Sequence, residues 1–127
     1  MHPALPMQKK VLVIDDNPGI LFIMNEALSL KKYKVRLTET FTGVAAVEAF
    51  APDIIYLDIA LVGQDGREIS QTLKKNKRTK HIPIIILTAY PNADMLAQEA
   101  GADDYLSKPF ELEHLWKMTE KYLSERT

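Results

Sequence analysis

The stretch DIIYLDIALVGQDG, Asp53 to Gly66, decides how this chain folds. Ile54 to Leu57 form an unbroken apolar run that ends on a carboxylate, Asp58, and an Asp-Gly turn follows at Asp65-Gly66. A strand apolar at every position is buried on both faces, the condition of a parallel sheet covered by helices. A charge at the end of such a strand is expensive unless something compensates it.

Working outward, the same alternation of short apolar runs and helical patterns repeats along the chain. Lys10 to Ile14 reads as a first strand. A helix from Pro18 to about Leu30 follows, with Asn17 as its N-cap and Pro18 in the first turn. Tyr33 to Thr38 alternates and reads as a strand with one wetter face. A second helix fits Thr42 to Phe50 and stops before Pro52. Ile54 to Leu57 is the third strand, and a third helix fits Asp65 to Asn76. Ile82 to Leu87 is the fourth strand, Pro91 opens a fourth helix that Gly101 ends, and Asp104 to Ser107 is the fifth strand. A fifth helix runs from about Glu111 to Ser124. Five βα units in succession predict a doubly wound, three-layer α/β sandwich. Binding sites in such folds lie outside the carboxyl ends of the strands.

Bulk properties fit one ordinary domain of 127 residues with 46% hydrophobic content. Sixteen basic and seventeen acidic residues give a net charge of -1, which is not the footprint of a nucleic-acid binder. The chain has no cysteine, so disulfides, thiol catalysis and cysteine metal sites are excluded. No apolar run approaches the roughly 20 residues of a membrane helix. A cytoplasmic home is expected. The start, MHPALPMQKK, has no signal-peptide core. Residues 1–8 are expected to be a disordered lead-in, 9–124 the domain and 125–127 a tail.

The polar residues at the strand ends carry the chemistry. Asp15-Asp16 end the first strand, Asp58 the third, Thr88 the fourth and Ser107-Lys108-Pro109 the fifth. In a parallel sheet all of these fall on one edge. Two carboxylates ~4 Å apart repel by about 4 kcal/mol at an effective dielectric near 20, so either they share protons or a cation joins them. An all-oxygen set favours a hard ion, Mg²⁺ first. Mg²⁺, a lysine and a hydroxyl around a carboxylate point to phosphoryl transfer onto that carboxylate.

Four segments then carry a family resemblance: VLVIDDN at Val11 to Asn17, YLDIALVGQDG at Tyr56 to Gly66, ILTAY at Ile86 to Tyr90, and DDYLSKPF at Asp103 to Phe110. In this order and spacing they resemble the receiver domain of two-component response regulators, over roughly Lys9 to Ser124. The resemblance implies a flavodoxin-like parallel sheet in the order 2-1-3-4-5. It implies that Asp58 accepts a phosphoryl group from a histidine kinase or phosphotransfer protein, and that Asp16, Asp58 and the Ala60 carbonyl hold Mg²⁺ directly, with Asp15 acting largely through water. Thr88 and Lys108 would bond the phosphoryl oxygens, and Lys108-Pro109 would be a cis peptide. Tyr105 matches the aromatic switch position, and Ala60 and Tyr90 the positions that tune hydrolysis. Signalling to a downstream target would pass through the face from the fourth strand to the fifth helix, with a homodimer through the fourth helix, fifth strand and fifth helix as a candidate assembly. The domain itself would bind neither nucleic acid nor membrane, and would be a stand-alone receiver or one cut from a longer protein, with no output domain after the fifth helix.

The chain departs from the family at Leu61-Val62, where many members carry Met-Pro. With Gly63 and Gly66 beside it, this loop is expected to be unusually mobile. On the first helix, Ile20 and Phe22 lie toward a candidate partner surface, the alternative for Phe22 being partial burial under neighbours. On the fifth helix, Leu112, Leu115, Thr119, Tyr122 and Leu123 form the expected core stripe, with Trp116 at its edge as a partner contact or a packing residue. Two rival functions remain: a Mg²⁺-dependent phosphatase with an aspartate nucleophile, and an interaction module that works without phosphate. The first usually shows Asp-x-Asp at the first strand, where this chain has adjacent acids.

Overall fold

The computed structural model describes residues 8–124. Of the expected lead-in and tail, only Gln8 falls among the described residues, and its side-chain amide donates to the Lys32 carbonyl at 2.9 Å; the remainder of both segments lies outside them.

The elements in chain order are β1 (Lys10–Ile14), α1 (Pro18–Leu30), β2 (Lys34–Thr38), α2 (Val44–Phe50), β3 (Ile54–Asp58), β4 (Ala60–Leu61), β5 (Gln64–Asp65), α3 (Gly66–Lys75), β6 (Ile84–Thr88), α4 (Ala93–Ala100), β7 (Asp104–Ser107) and α5 (Leu112–Ser124). Five strands form one parallel sheet in the order β2-β1-β3-β6-β7, the expected 2-1-3-4-5 once the two-residue strands are set aside. Those two, β4 and β5, pair antiparallel as a separate hairpin that the sequence reading did not foresee.

Strand parity builds the two cores. Leu12 and Ile14, Ile55 and Leu57, and Ile84 and Ile86 face one layer with Val47, Phe50, Ile69, Leu73 and Leu96. Val11 and Val13, Ile54 and Tyr56, and Ile85 and Leu87 face the other with Leu21, Met24, Leu28, Leu115 and Leu123. Because side chains alternate across a strand, a central strand must be apolar at every position to feed both layers.

Local chemistry sets the helix ends. The Asn17 side chain accepts from the amides of Gly19 and Ile20, and Pro18 opens α1. Ala51 at φ 54° and Gly101 at φ 66° end α2 and α4 in the left-handed conformation. Four expected helix starts move inward, α3 by one residue to Gly66 with Asp65 as its N-cap. Helix α2 starts at Val44, after Gly43 at φ 117°, and not at Thr42. Helix α4 starts at Ala93 and not Pro91, and α5 at Leu112 and not Glu111. Leu112 is 40% exposed, so the core stripe of α5 begins at Leu115. Phe22 is 65% exposed and is not covered by neighbours. Trp116, by contrast, is half-buried. Its indole N–H donates to the Ala27 carbonyl at 2.8 Å, and Lys31 Nζ lies 4.5 Å from its ring. Ala27 is in the last turn of α1, where carbonyls lack helical partners, so Trp116 ties α5 to the end of α1.

A buried polar pair links the sheet to α5. The Tyr56 hydroxyl lies 2.5 Å from Thr119 Oγ1, which in turn donates to the Leu115 carbonyl at 2.8 Å. With its own proton committed to Leu115, Thr119 accepts from Tyr56. Burial pushes the Tyr56 phenol far above its ordinary pKa, so it remains a donor. Thr119→Val strands a buried hydroxyl and should cost about 1–3 kcal/mol, whereas Tyr56→Phe removes only the donor and should cost about 1 kcal/mol. Urea denaturation of the two variants and their double mutant checks this: the double mutant should lose less than the sum.

Candidate functional site

The parallel sheet brings the C-terminal ends of β1, β3, β6 and β7 to one edge. Asp15 and Asp16 follow β1, Asp58 closes β3, Thr88 closes β6 and Lys108 follows β7. One carboxylate oxygen from each of Asp15, Asp16 and Asp58 lies within 4.8 Å of the other two. Lys108 Nζ sits 2.7 Å from Asp15 Oδ2 and 3.6 Å from Asp58 Oδ2. The Lys108–Pro109 peptide is cis.

Each side chain is held by backbone around it. Asp15 is fully buried. Its own amide donates to the Thr38 carbonyl at 3.0 Å, and its Oδ1 accepts from Asn17 N at 2.9 Å. Its Oδ2 has no well-aligned hydrogen-bond donor, although the Lys108 ammonium is near it; the pair is held by charge and not by a directed hydrogen bond. Asp58 is 6% exposed, and its Oδ1 accepts from the Ala60 amide at 3.1 Å. Thr88 is buried, with Oγ1 accepting from Tyr90 N at 3.0 Å, while the Lys108 amide donates to the Thr88 carbonyl at 2.7 Å.

Burial raises the Asp58 carboxyl above the ordinary carboxylate range, and the charges of Asp15 and Asp16 add to this; the Ala60 amide and Lys108 pull the other way. Three carboxylates against one ammonium leave two formal negative charges unbalanced. That excess matches a divalent cation. Oxygens bound to Mg²⁺ at about 2.1 Å lie roughly 3 to 4 Å apart, so small side-chain shifts close this set around the ion. The all-oxygen donor set and the poorly partnered Asp15 Oδ2 both fit such an ion.

The remaining expected residues are dispersed. Ala60 and Tyr90 line one cleft of about 460 Å³ beside the hairpin. Tyr105 is 38% exposed on β7. Ile20 is half-buried against the α1–α5 core, Phe22 is exposed, and Trp116 is engaged with α1.

The loop expected to be mobile is instead fixed at several points. Ala60 pairs with Asp65 and Leu61 with Gln64, and Leu61 is buried. Gln64 makes two reciprocal bonds to Phe41, accepting from its amide at 3.0 Å and donating to its carbonyl at 2.9 Å. Gly63 provides the turn with φ 74°. Gly66 serves close approach and not mobility: a Cβ there would lie 2.4 Å from the Asp58 carbonyl oxygen and 2.6 Å from Ile59 Cα. Gly66 was missed as a site residue. Its Asp-Gly signal read as a turn, and the tight contact is long-range.

Residues 11–120 match the family model described as the response regulator receiver domain. Among curated relatives, the sporulation initiation phosphotransferase F of Bacillus subtilis is 32% identical, covering 92% of this chain and 95% of its own length. The DNA-binding dual master transcriptional regulator RpaA of Synechocystis is 36% identical over 84% of this chain but only 45% of its own, so the chain spans about half of that relative. Among solved structures, the receiver domain of a Pseudomonas aeruginosa sensor histidine kinase superposes with a TM-score of 0.84 at 26% identity, covering 93% of this chain and 99% of that one. That structure has a magnesium ion coordinated in its active-site cleft. Among the described residues, no helix is long and apolar enough to cross a membrane.

Two outcomes follow from the geometry. Gly66→Ala forces backbone apart beneath Asp58 and should cost about 1–3 kcal/mol in urea denaturation. The raised Asp58 pKa favours the protonated carboxyl in the folded state. Its contribution is therefore present below the ordinary carboxylate pKa and lost as pH rises through the raised value. In EDTA, stability of the wild type should fall across that window, and Asp58→Asn should flatten that limb of the thermal-melt profile.

Proposed function

Since the chain belongs to the response regulator receiver domain family, we propose that Asp58 is its phosphoacceptor, that Mg²⁺ is its cofactor, and that a phosphohistidine protein is its donor. The observation that carries this is the two-charge excess of Asp15, Asp16 and Asp58 over Lys108 at one sheet edge. Asp15, Asp16 and Asp58 would hold the ion, together with the Ala60 carbonyl. When bound, Mg²⁺ neutralises phosphoryl oxygens and orients them toward the carboxylate.

The chain's own residues supply the rest. The Ala60 amide occupies Asp58 Oδ1. This leaves Oδ2, on the Lys108 side, as the attacking oxygen. A bond forms from Oδ2 to phosphorus, the P–N bond to the donor imidazole breaks, and that nitrogen leaves with the electron pair and takes a proton. Lys108 pairs with a phosphoryl oxygen as a point charge, and the Thr88 hydroxyl donates to another. Asp58 is modified in place, so the protein is a phosphoacceptor and not an enzyme turning over a separate substrate. The modification biases the face formed by α4, β7 and α5 between two states, with Thr88 and the outward Tyr105 as its moving parts, and this face addresses the downstream target.

Incubation with a small phosphoramidate and Mg²⁺, followed by intact-mass measurement, tests the reading. One phosphoryl group should add to the wild type and none to Asp58→Asn. An adduct retained by Asp58→Asn, or no adduct and no beryllofluoride binding by the wild type, overturns it.

A further inference from the structure

The tip of the β4–β5 hairpin reaches back across the site. The main-chain amide of Val62 donates to Asp16 Oδ2 at 2.8 Å, joining residues 46 positions apart. The Val62 side chain takes no part in this, being 84% exposed. We propose that the Val62 amide is a positioning group for the metal site: it turns the Asp16 carboxylate and holds it ready for the cation. The inference rests on Mg²⁺ binding at Asp15, Asp16 and Asp58.

Three observations make the amide more than an incidental contact. First, Asp16 is the least buried of the three acids, half-exposed where Asp15 and Asp58 are buried, so it has the greatest freedom to turn away. Second, a carboxylate has two oxygens and about four acceptor positions, so one amide bond leaves ample capacity for an ion. Outer hydrogen bonds of this kind orient metal ligands and typically govern affinity by 10- to 100-fold. Third, the hairpin carrying the amide is rigidly placed. Gln64 anchors it to both backbone groups of Phe41, and Gly66 N donates to the Ile59 carbonyl at 3.1 Å at its base. The donor is thus preorganised, and the ordering of Asp16 is supplied before the ion arrives.

The position also admits a clean substitution. Val62 has no positive φ, and Gly63 follows at φ 74°. This order of signs is that of a type II turn, in which proline is favoured at the first central position. Val62→Pro therefore removes the N–H while suiting the turn; the ion-free fold loses the bond to Asp16, an exposed one, against which stands the smaller freedom of the unfolded chain. Val62→Ala keeps the N–H and alters only an exposed side chain. The two variants separate the amide from everything else at the site.

The test is Mg²⁺ titration by isothermal calorimetry on the wild type, Val62→Pro and Val62→Ala, with thermal melts in EDTA. Val62→Pro should bind Mg²⁺ about tenfold more weakly while still unfolding cooperatively in EDTA with at most a small drop in melting temperature, and Val62→Ala should match the wild type. Equal or tighter binding by Val62→Pro overturns the inference, as does equal weakening in both variants. No Mg²⁺ binding by the wild type would instead sink the metal site itself. Should Val62→Pro not fold, amide hydrogen exchange on the wild type decides. A Val62 amide protected at the exposed tip in the Mg²⁺ form supports the inference, and one exchanging at the open-chain rate overturns it.

Discussion

Lys108 Nζ stands 2.7 Å from a fully buried carboxylate, that of Asp15, and much of the molecule is arranged around that pair. Removing a carboxylate from water costs several kcal/mol, and an ion pair repays this only with good geometry and further hydrogen bonds. The backbone supplies them: Asn17 N bonds to Asp15 Oδ1, and the Lys108 amide is bound to Thr88. Sheet order does the remaining work. Strand β1 lies beside β3, β3 beside β6 and β6 beside β7, so groups distant in sequence meet at one edge. The single ammonium still leaves the acids in formal excess by two, a charge that a divalent cation would balance.

The sheet and the meeting of its polar residues at one edge were legible in the sequence for a simple reason. Strands β1, β3 and β6 are apolar at successive positions because they feed two cores, and each ends where a polar residue begins. Asn17-Pro18 likewise announced α1, since an N-cap and a first-turn proline act locally. What escaped notice depends on partners far along the chain. Strands β4 and β5 have two residues each, too short for any periodicity, and the hairpin is held by Phe41 and Asp16. Thr42 and Pro91 are reasonable helix openers by type, yet the helices begin two residues later, at Val44 and Ala93. Leu112 fitted the helical stripe of α5 but lies in its exposed first turn.

The loop after Asp58 shows how a local reading can reverse in three dimensions. Two glycines and no proline suggest slack, because glycine widens the choices of an unfolded chain. In the folded protein one glycine fits a turn and the other fits against the Asp58 carbonyl, so both narrow the choices. Leu61 adds a buried anchor. The strand that ends on Asp58 is thereby braced on the side from which the chain leaves it.

Thr88 has a consequence of its own. Its hydroxyl already accepts a proton-bearing neighbour, the Tyr90 amide, at 3.0 Å. A hydroxyl offers one donor and two acceptor positions, so its own hydrogen remains to be given. On the proposed function, a phosphoryl oxygen at Asp58 would take that hydrogen without breaking the bond to Tyr90. The Thr88 hydroxyl would then work as a relay and not as an exchange: any movement it made toward the phosphoryl group would draw the start of the β6–α4 connection with it. Detection at the carboxylate and displacement of the neighbouring loop would share one oxygen atom.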